Sequence, residues 1–150
     1  MKNNSLDMEN IEAYIGPRSV EWYYEAFKNY EQNSLKFNIW ACIFSFLYLF
    51  YRKCYKMGII IGAIITLSSI FLGNIGSFIN IVVSILCGLY GPKYVYMRYK
   101  EYLNIYKNLP KERLKINLIA IGGVSYKWVI IAILFCGIFS RIVEYLYYGI

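Results

Sequence analysis

The chain has 150 residues, carries 16 Lys and Arg against 9 Asp and Glu for a net charge of +7, and is 59% hydrophobic with a mean hydropathy of +0.42. That apolar share exceeds the usual ~45–50%, and it is clustered: residues 57–92 are 36 consecutive positions without Asp, Glu, Lys or Arg, a run typical of membrane helices rather than a buried core helix. His is absent, and the four Cys (Cys42, Cys54, Cys87, Cys136) are scattered without CxxC spacing, which argues against a metal or redox centre and leaves no cofactor to expect.

Residues 1–36 are polar, with four Lys/Arg against six Asp/Glu, a net −2, and no apolar core of the kind a cleavable leader needs. Gly16 and Pro17 mark the start of an amphipathic helix over 19–33, where Val20, Tyr23, Tyr24, Phe27 and Tyr30 fall at helical spacing. This aromatic face can pack on other helices or lie at headgroup level, where rings with one apolar and one wet end are favoured.

Residues 37–51 are fifteen uncharged and mostly bulky positions that run into Arg52, Lys53 and Lys56. Fifteen residues make about 22 Å of helix, against a hydrocarbon core of roughly 30 Å. Partial insertion fits that length, with Lys36 and Asn38 at the entry and Tyr51-Arg52-Lys53 as the interfacial exit; full crossing needs tilt or local thinning of the bilayer.

The charge-free run that follows would make about 54 Å as one helix, too long for one crossing. It therefore folds into a helix over 57–72, a turn at Gly73-Asn74-Ile75-Gly76 and a second helix over 75–90, which Gly91 and Pro92 end or kink. Residues 93–127 turn basic, eight Lys/Arg against Glu101 and Glu112 for a net +6, with Val95, Tyr99, Tyr102, Tyr106 and Leu109 on one helical face. Pro110 separates this face from a second basic helix that grades into an apolar stretch and is interrupted at Gly122 and Gly123. The last apolar helix, over 128–148, contains Arg141 and Glu144; three apart, they share a face and can pair, or snorkel to the interface.

Short Lys/Arg-rich loops stay on the cytoplasmic side, so residues 52–56 and 93–127 should share a side, with the apolar hairpin pointing outward between them. The expected fold class is all-α: a polytopic integral membrane protein with three to four short apolar helices plus amphipathic interfacial or cytoplasmic helices. It divides into 1–36, 37–92, 93–127 and 128–150.

The segments IEAYIG, WYYEAF, and FN followed at fixed distance by YRKCY resemble a family of small bacterial membrane proteins of unknown function. Phe37, Asn38, Ala41, Phe44, Tyr51, Arg52, Lys53 and Tyr55 match its pattern, and GLYGPKYVY at 88–96 is similar to the segment after the family's helical hairpin. Trp40 sits one place late, Ser45-Phe46 replaces the usual Gly-Pro, and Tyr48 stands where a Trp is expected. Without Gly-Pro a sharp reversal is harder to make, so an in-plane or tilted helix is expected over 37–51. The resemblance covers about 11–100 and implies no activity. It implies a bacterial cytoplasmic membrane location, and it marks Gly16, Tyr23, Tyr24, Phe27, Phe37, Asn38, Tyr51, Arg52, Lys53 and Tyr55 as family-like motif residues at the membrane interface.

No nucleophile–base pair or facing carboxylates are visible, so no enzyme is expected. Basic residues interleaved with Tyr resemble single-strand binders, yet topology and anionic lipid headgroups explain them, and nucleic acid is not expected. The expected role is a non-enzymatic membrane interaction or accessory protein, with lipids and a protein partner or second copy as partners. The rival is an oligomeric, holin-like pore or transport component lined by the hairpin's Ser, Thr and Asn, residues that also serve close helix packing, as does the Gly58-xxx-Gly62 spacing.

Overall fold

The computed structural model describes residues 6–149, apart from the side chains of 144, 147 and 148. Among the described residues the structure is all-helical: α1 (Met8–Ile15), α2 (Val20–Glu31), α3 (Ile39–Phe44), α4 (Phe46–Tyr51), α5 (Tyr55–Phe71), α6 (Gly73–Ile105), α7 (Lys111–Ile121) and α8 (Tyr126–Tyr148).

The Asp7 carboxylate caps α1 by accepting from the Glu9 N–H at 3.1 Å. Helix α2 buries Val20, Tyr23, Ala26, Phe27 and Tyr30, the face expected from their spacing, while Tyr24 is half-buried. It ends in a Schellman turn: Asn33 sits at φ 57, its N–H donates to Tyr30 O at 3.1 Å, and Ser34 N–H donates to Asn29 O at 2.9 Å. The buried face meets the basic half of α6, with Phe27 ring centroids 5.0 Å from Tyr96 and 5.4 Å from Tyr99. Tyr14 of α1 lies 5.4 Å from the same Tyr99 ring, and Leu118 of α7 closes the cluster with no exposed surface. The acidic N-terminal region thus packs on the basic region, and Glu9–Lys115 (2.8 Å) and Glu31–Lys100 (3.7 Å) pair across that join.

The expected hairpin is present but tighter, with only Leu72 between α5 and α6. At Gly76 a Cβ would collide with the Ser68 carbonyl, so glycine permits the close approach. Just beyond, Ser68 Oγ donates to Asn80 Oδ1 at 2.8 Å and Asn80 Nδ2 to Ser69 Oγ at 2.7 Å.

Two expected features are corrected. Pro92 does not end the second arm: α6 runs unbroken through it for 33 residues, so the apolar arm and the first basic helix are one rod. Proline removes the N–H that would bond the Gly88 carbonyl, and the Asn38 N–H donates to that carbonyl instead, at 2.9 Å. Residues 37–51, in turn, are two six-residue helices, α3 and α4, broken at Ser45 with φ 47 and ψ −117. Helix α3 packs on α6, and α4 runs beside the first turns of α5. There Phe50 and Phe46 occupy the space that side chains would fill at Gly58 and Gly62, so the Gly-xxx-Gly spacing seats aromatic rings of the same chain.

Helix α8 packs its first turns on α4 and α5 and buries Ala132. The loop before it docks through two amides, Gly123 N–H to Tyr14 O at 2.6 Å and Ser125 N–H to Tyr51 O at 2.9 Å. Two segments are long and apolar enough to cross a membrane, Gly73–Ile105 in α6 and Lys111–Val143, which takes in α7, the loop after it and most of α8; only 28% and 17% of their most apolar stretches is buried inside the protein. Helix α5 is apolar but shorter.

Candidate functional site

The Tyr51-Arg52-Lys53 turn is the structural hub of the motif residues. Helix α4 closes in a second Schellman turn: Lys53 is left-handed at φ 57, its N–H donates to Phe50 O at 3.0 Å, and Cys54 N–H donates to Leu49 O at 2.7 Å. This turn aims Arg52 back toward α1 and α2. Its Nη1 donates to Ile15 O at 3.0 Å, completing the α1 C-terminus, and its guanidinium lies 4.6 Å from the Tyr23 ring centre and 5.4 Å from that of Tyr51. Its Nε is buried without a hydrogen-bond partner. Among the described residues no carboxylate comes within ion-pair distance of Arg52. Lys53 Nζ reaches Ala120 O at 3.4 Å at the end of α7, and Lys53 O accepts from Arg98 Nη1. One turn therefore fastens α1, α4, α6 and α7 together.

Burial acts on the neighbouring titratable groups. It pushes the Tyr14, Tyr23, Tyr30 and Tyr99 phenols above their ordinary value and the Cys54 thiol up to about 11. Tyr23 Oη meets Tyr48 Oη at 2.6 Å.

Beside Arg52 opens a cleft of about 980 Å³. The start of α2 supplies Glu21 and Trp22, α3 supplies Trp40 and Phe44, α4 supplies Leu47 and Tyr48, and α8 supplies Tyr126, Val129 and Ile133. Tyr51 stacks edge-on against Tyr126 at 5.3 Å, which holds the α8 wall beside the arginine turn.

The structure distributes the motif residues over three places. Tyr23 and Phe27 are 2% and 0% exposed, so of the two placements open to the aromatic face of α2 the structure shows packing on other helices. Phe37 and Asn38 join α3 to α6 at Gly88, with Asn38 Oδ1 also capping α3 through the Ala41 N–H at 2.9 Å. Tyr51, Arg52, Lys53 and Tyr55 form the hub and its rim, Tyr55 packing on Trp128 at 5.1 Å. Gly16 holds the α1–α2 turn at φ 91, and Tyr24 packs, partly buried, against the cluster of Tyr23 and Phe27. The Arg141–Glu144 pairing falls on a side chain outside the described residues. The cleft walls at Trp22, Leu47, Tyr126, Val129 and Ile133 were missed because they converge from segments about a hundred residues apart. The only sequence signal was the off-pattern placement of Trp40 and Tyr48. Among the described residues no three His, Cys, Asp or Glu side chains gather as a metal-ion site.

The architecture is that of an all-helical protein with a packed aromatic base and two segments long and apolar enough to span a membrane. The chain belongs to a family of proteins of unknown function, DUF2628, whose family model matches residues 9–100. That match runs from α1 to the basic half of α6 and includes every motif residue described above. No curated protein and no solved structure matches the chain.

Proposed function

We propose that the chain is a multi-pass protein of the bacterial cytoplasmic membrane with a non-enzymatic interaction or accessory role. In this reading the α5–α6 hairpin and α8 lie in the bilayer, and the aromatic base lies on the cytoplasmic side. The observation that carries it is the division of burial. Tyr23, Phe27 and Tyr99 in the base are almost wholly covered, whereas Phe78 and Phe135, each 67% exposed, stand on long apolar stretches of α6 and α8. Water does not tolerate so continuous an apolar surface; lipid does.

The join between α2 and the basic half of α6 bears on topology. Helices α1 and α2 pack with the basic half of α6 and with α7, so these belong on one side, and six-residue helices of about 9 Å each suit a stretch that enters the membrane surface without crossing. The Lys and Arg of that side then face anionic headgroups. The hairpin's Ser68, Ser69 and Asn80 bond one another, which favours packing over a pore lining.

Alkaline carbonate extraction tests membrane integration: the chain should stay in the membrane pellet, and recovery in the supernatant would contradict the reading. Expression should leave the proton gradient intact; its rapid collapse would favour the oligomeric pore instead.

A further inference from the structure

We infer that the cleft beside Arg52 seats one phospholipid whose headgroup carries both a phosphate and a primary ammonium. The inference rests on the membrane reading above and goes beyond it by naming a bound ligand. The cleft's volume of about 980 Å³ lies at the upper end of the range for small-molecule sites. Its chemistry is divided. One part holds a guanidinium and a carboxylate, Arg52 and Glu21, which form no ion pair with each other or with any other described residue. Phe44, Leu47, Val129 and Ile133 add apolar wall to the same cleft.

The polar part is unfinished in a specific way. Arg52 spends Nη1 on the Ile15 carbonyl, and its Nε is buried without an acceptor. Arg52 also lines the cleft with no carboxylate within ion-pair distance, and phosphate oxygens answer the forked donors of a guanidinium. Glu21 supplies the opposite charge in the same cleft, so an anion alone leaves a carboxylate facing it, whereas a phosphate with an attached ammonium answers both.

The apolar part fits an acyl chain. Tyr126, Val129 and Ile133 lie along one face of α8, so the wall extends about 10 Å from Tyr126 into the apolar helix. Ile133 is 52% exposed, leaving the wall open toward the lipid side. Phosphate at Arg52 and acyl chain along Ile133 is the orientation a phospholipid has at a membrane surface.

The test is native mass spectrometry of the full chain extracted from membranes, with headgroup analysis of the retained lipid, for wild type, Glu21→Gln and Ile133→Trp. Wild type should carry one phospholipid adduct with a primary amine headgroup, at least tenfold enriched over phosphatidylglycerol relative to the bulk membrane. Glu21→Gln should keep an adduct but lose that enrichment. Ile133→Trp, which fills the apolar end from an exposed position, should lose the adduct while remaining folded. No adduct on wild type, an adduct undiminished in Ile133→Trp, or an enrichment undiminished in Glu21→Gln would overturn the inference. Carbonate extraction of the same three proteins separates the two levels: loss of integration refutes the membrane reading, and integration without the lipid pattern refutes the cleft assignment alone.

Discussion

Pro92 and Gly88 act as a pair. Proline frees the Gly88 carbonyl, Asn38 claims it, and glycine leaves room for the Phe37 ring that arrives with Asn38. A Cβ at Gly88 would stand 2.5 Å from the Phe37 ring and 2.9 Å from Cys42 Cβ. The Phe37 ring tip can shift, but Cys42 Cβ yields only if α3 moves, so Gly88→Ala should cost about 1–3 kcal/mol, the usual range for overpacking, measured as a fall in the denaturation midpoint of the purified protein. Gly91→Ala serves as the contrast: its Cβ would meet Tyr48 no closer than 3.4 Å, ordinary contact, and the loss should be smaller. The sequence presents FN and GLYGP as two separate matches fifty residues apart. Their identity as the halves of one junction is not legible there, because nothing local to either segment records the partner of an orphaned carbonyl. Arg52 is similar: a basic exit signal in sequence, it proves to be a half-buried structural cation beside two tyrosine rings.

At the scale of elements, the break at Ser45 shows local propensity yielding to packing. A serine has no intrinsic reason to adopt φ 47 with ψ −117, a conformation that glycine reaches at little cost. The resemblance leads one to expect glycine at this place, and serine in its stead suggests an in-plane or tilted helix. The break is held from outside: Phe46 must reach Gly62 while α3 stays on α6, and Ser45 itself is 5% exposed, with its hydroxyl directed at Cys87 Sγ at 3.5 Å. Ser45→Gly should therefore stabilise the protein by roughly 1 kcal/mol through relief of this strain, seen as a raised melting temperature. Ser45→Ala keeps the strain and should give no gain. Helix α6 shows the same precedence in reverse, since Gly91-Pro92 reads as a stop. Pro92, Val95, Tyr96 and Tyr99 nevertheless share one buried face, which α2 covers at Tyr96 and Tyr99, and the helix continues through the proline. The periodic faces of α2 and lower α6 and the apolar segments were legible because spacing and hydropathy are properties of contiguous residues. Breaks and joins were not, because they depend on distant ones.

At the scale of the molecule, the tyrosine-rich base and the apolar helices have different vulnerabilities. The base buries phenols of Tyr14, Tyr23, Tyr30 and Tyr99 whose values burial raises above the ordinary 10.0. In the unfolded chain they release protons near pH 10, while the folded protein retains them. The stability they contribute is thus complete below pH 10 and lost as pH climbs above it. Melting temperature should fall above pH 10, and Tyr14→Phe should make that fall shallower. On the proposed membrane reading the base also bears on topology, since α1, α2, the basic half of α6 and α7 share one core and would stand on one side of the bilayer. Single cysteines at Ser34 in the α2–α3 loop, Asn74 at the hairpin turn and Lys107 after α6, all exposed positions, test this in a variant stripped of its four native Cys. An impermeant thiol reagent should label Asn74→Cys in intact cells, and Ser34→Cys and Lys107→Cys only once the cells are opened. Labelling of Ser34→Cys in intact cells with Lys107→Cys still protected would separate the N-terminal helices from the basic region and contradict the packed base on which this account stands.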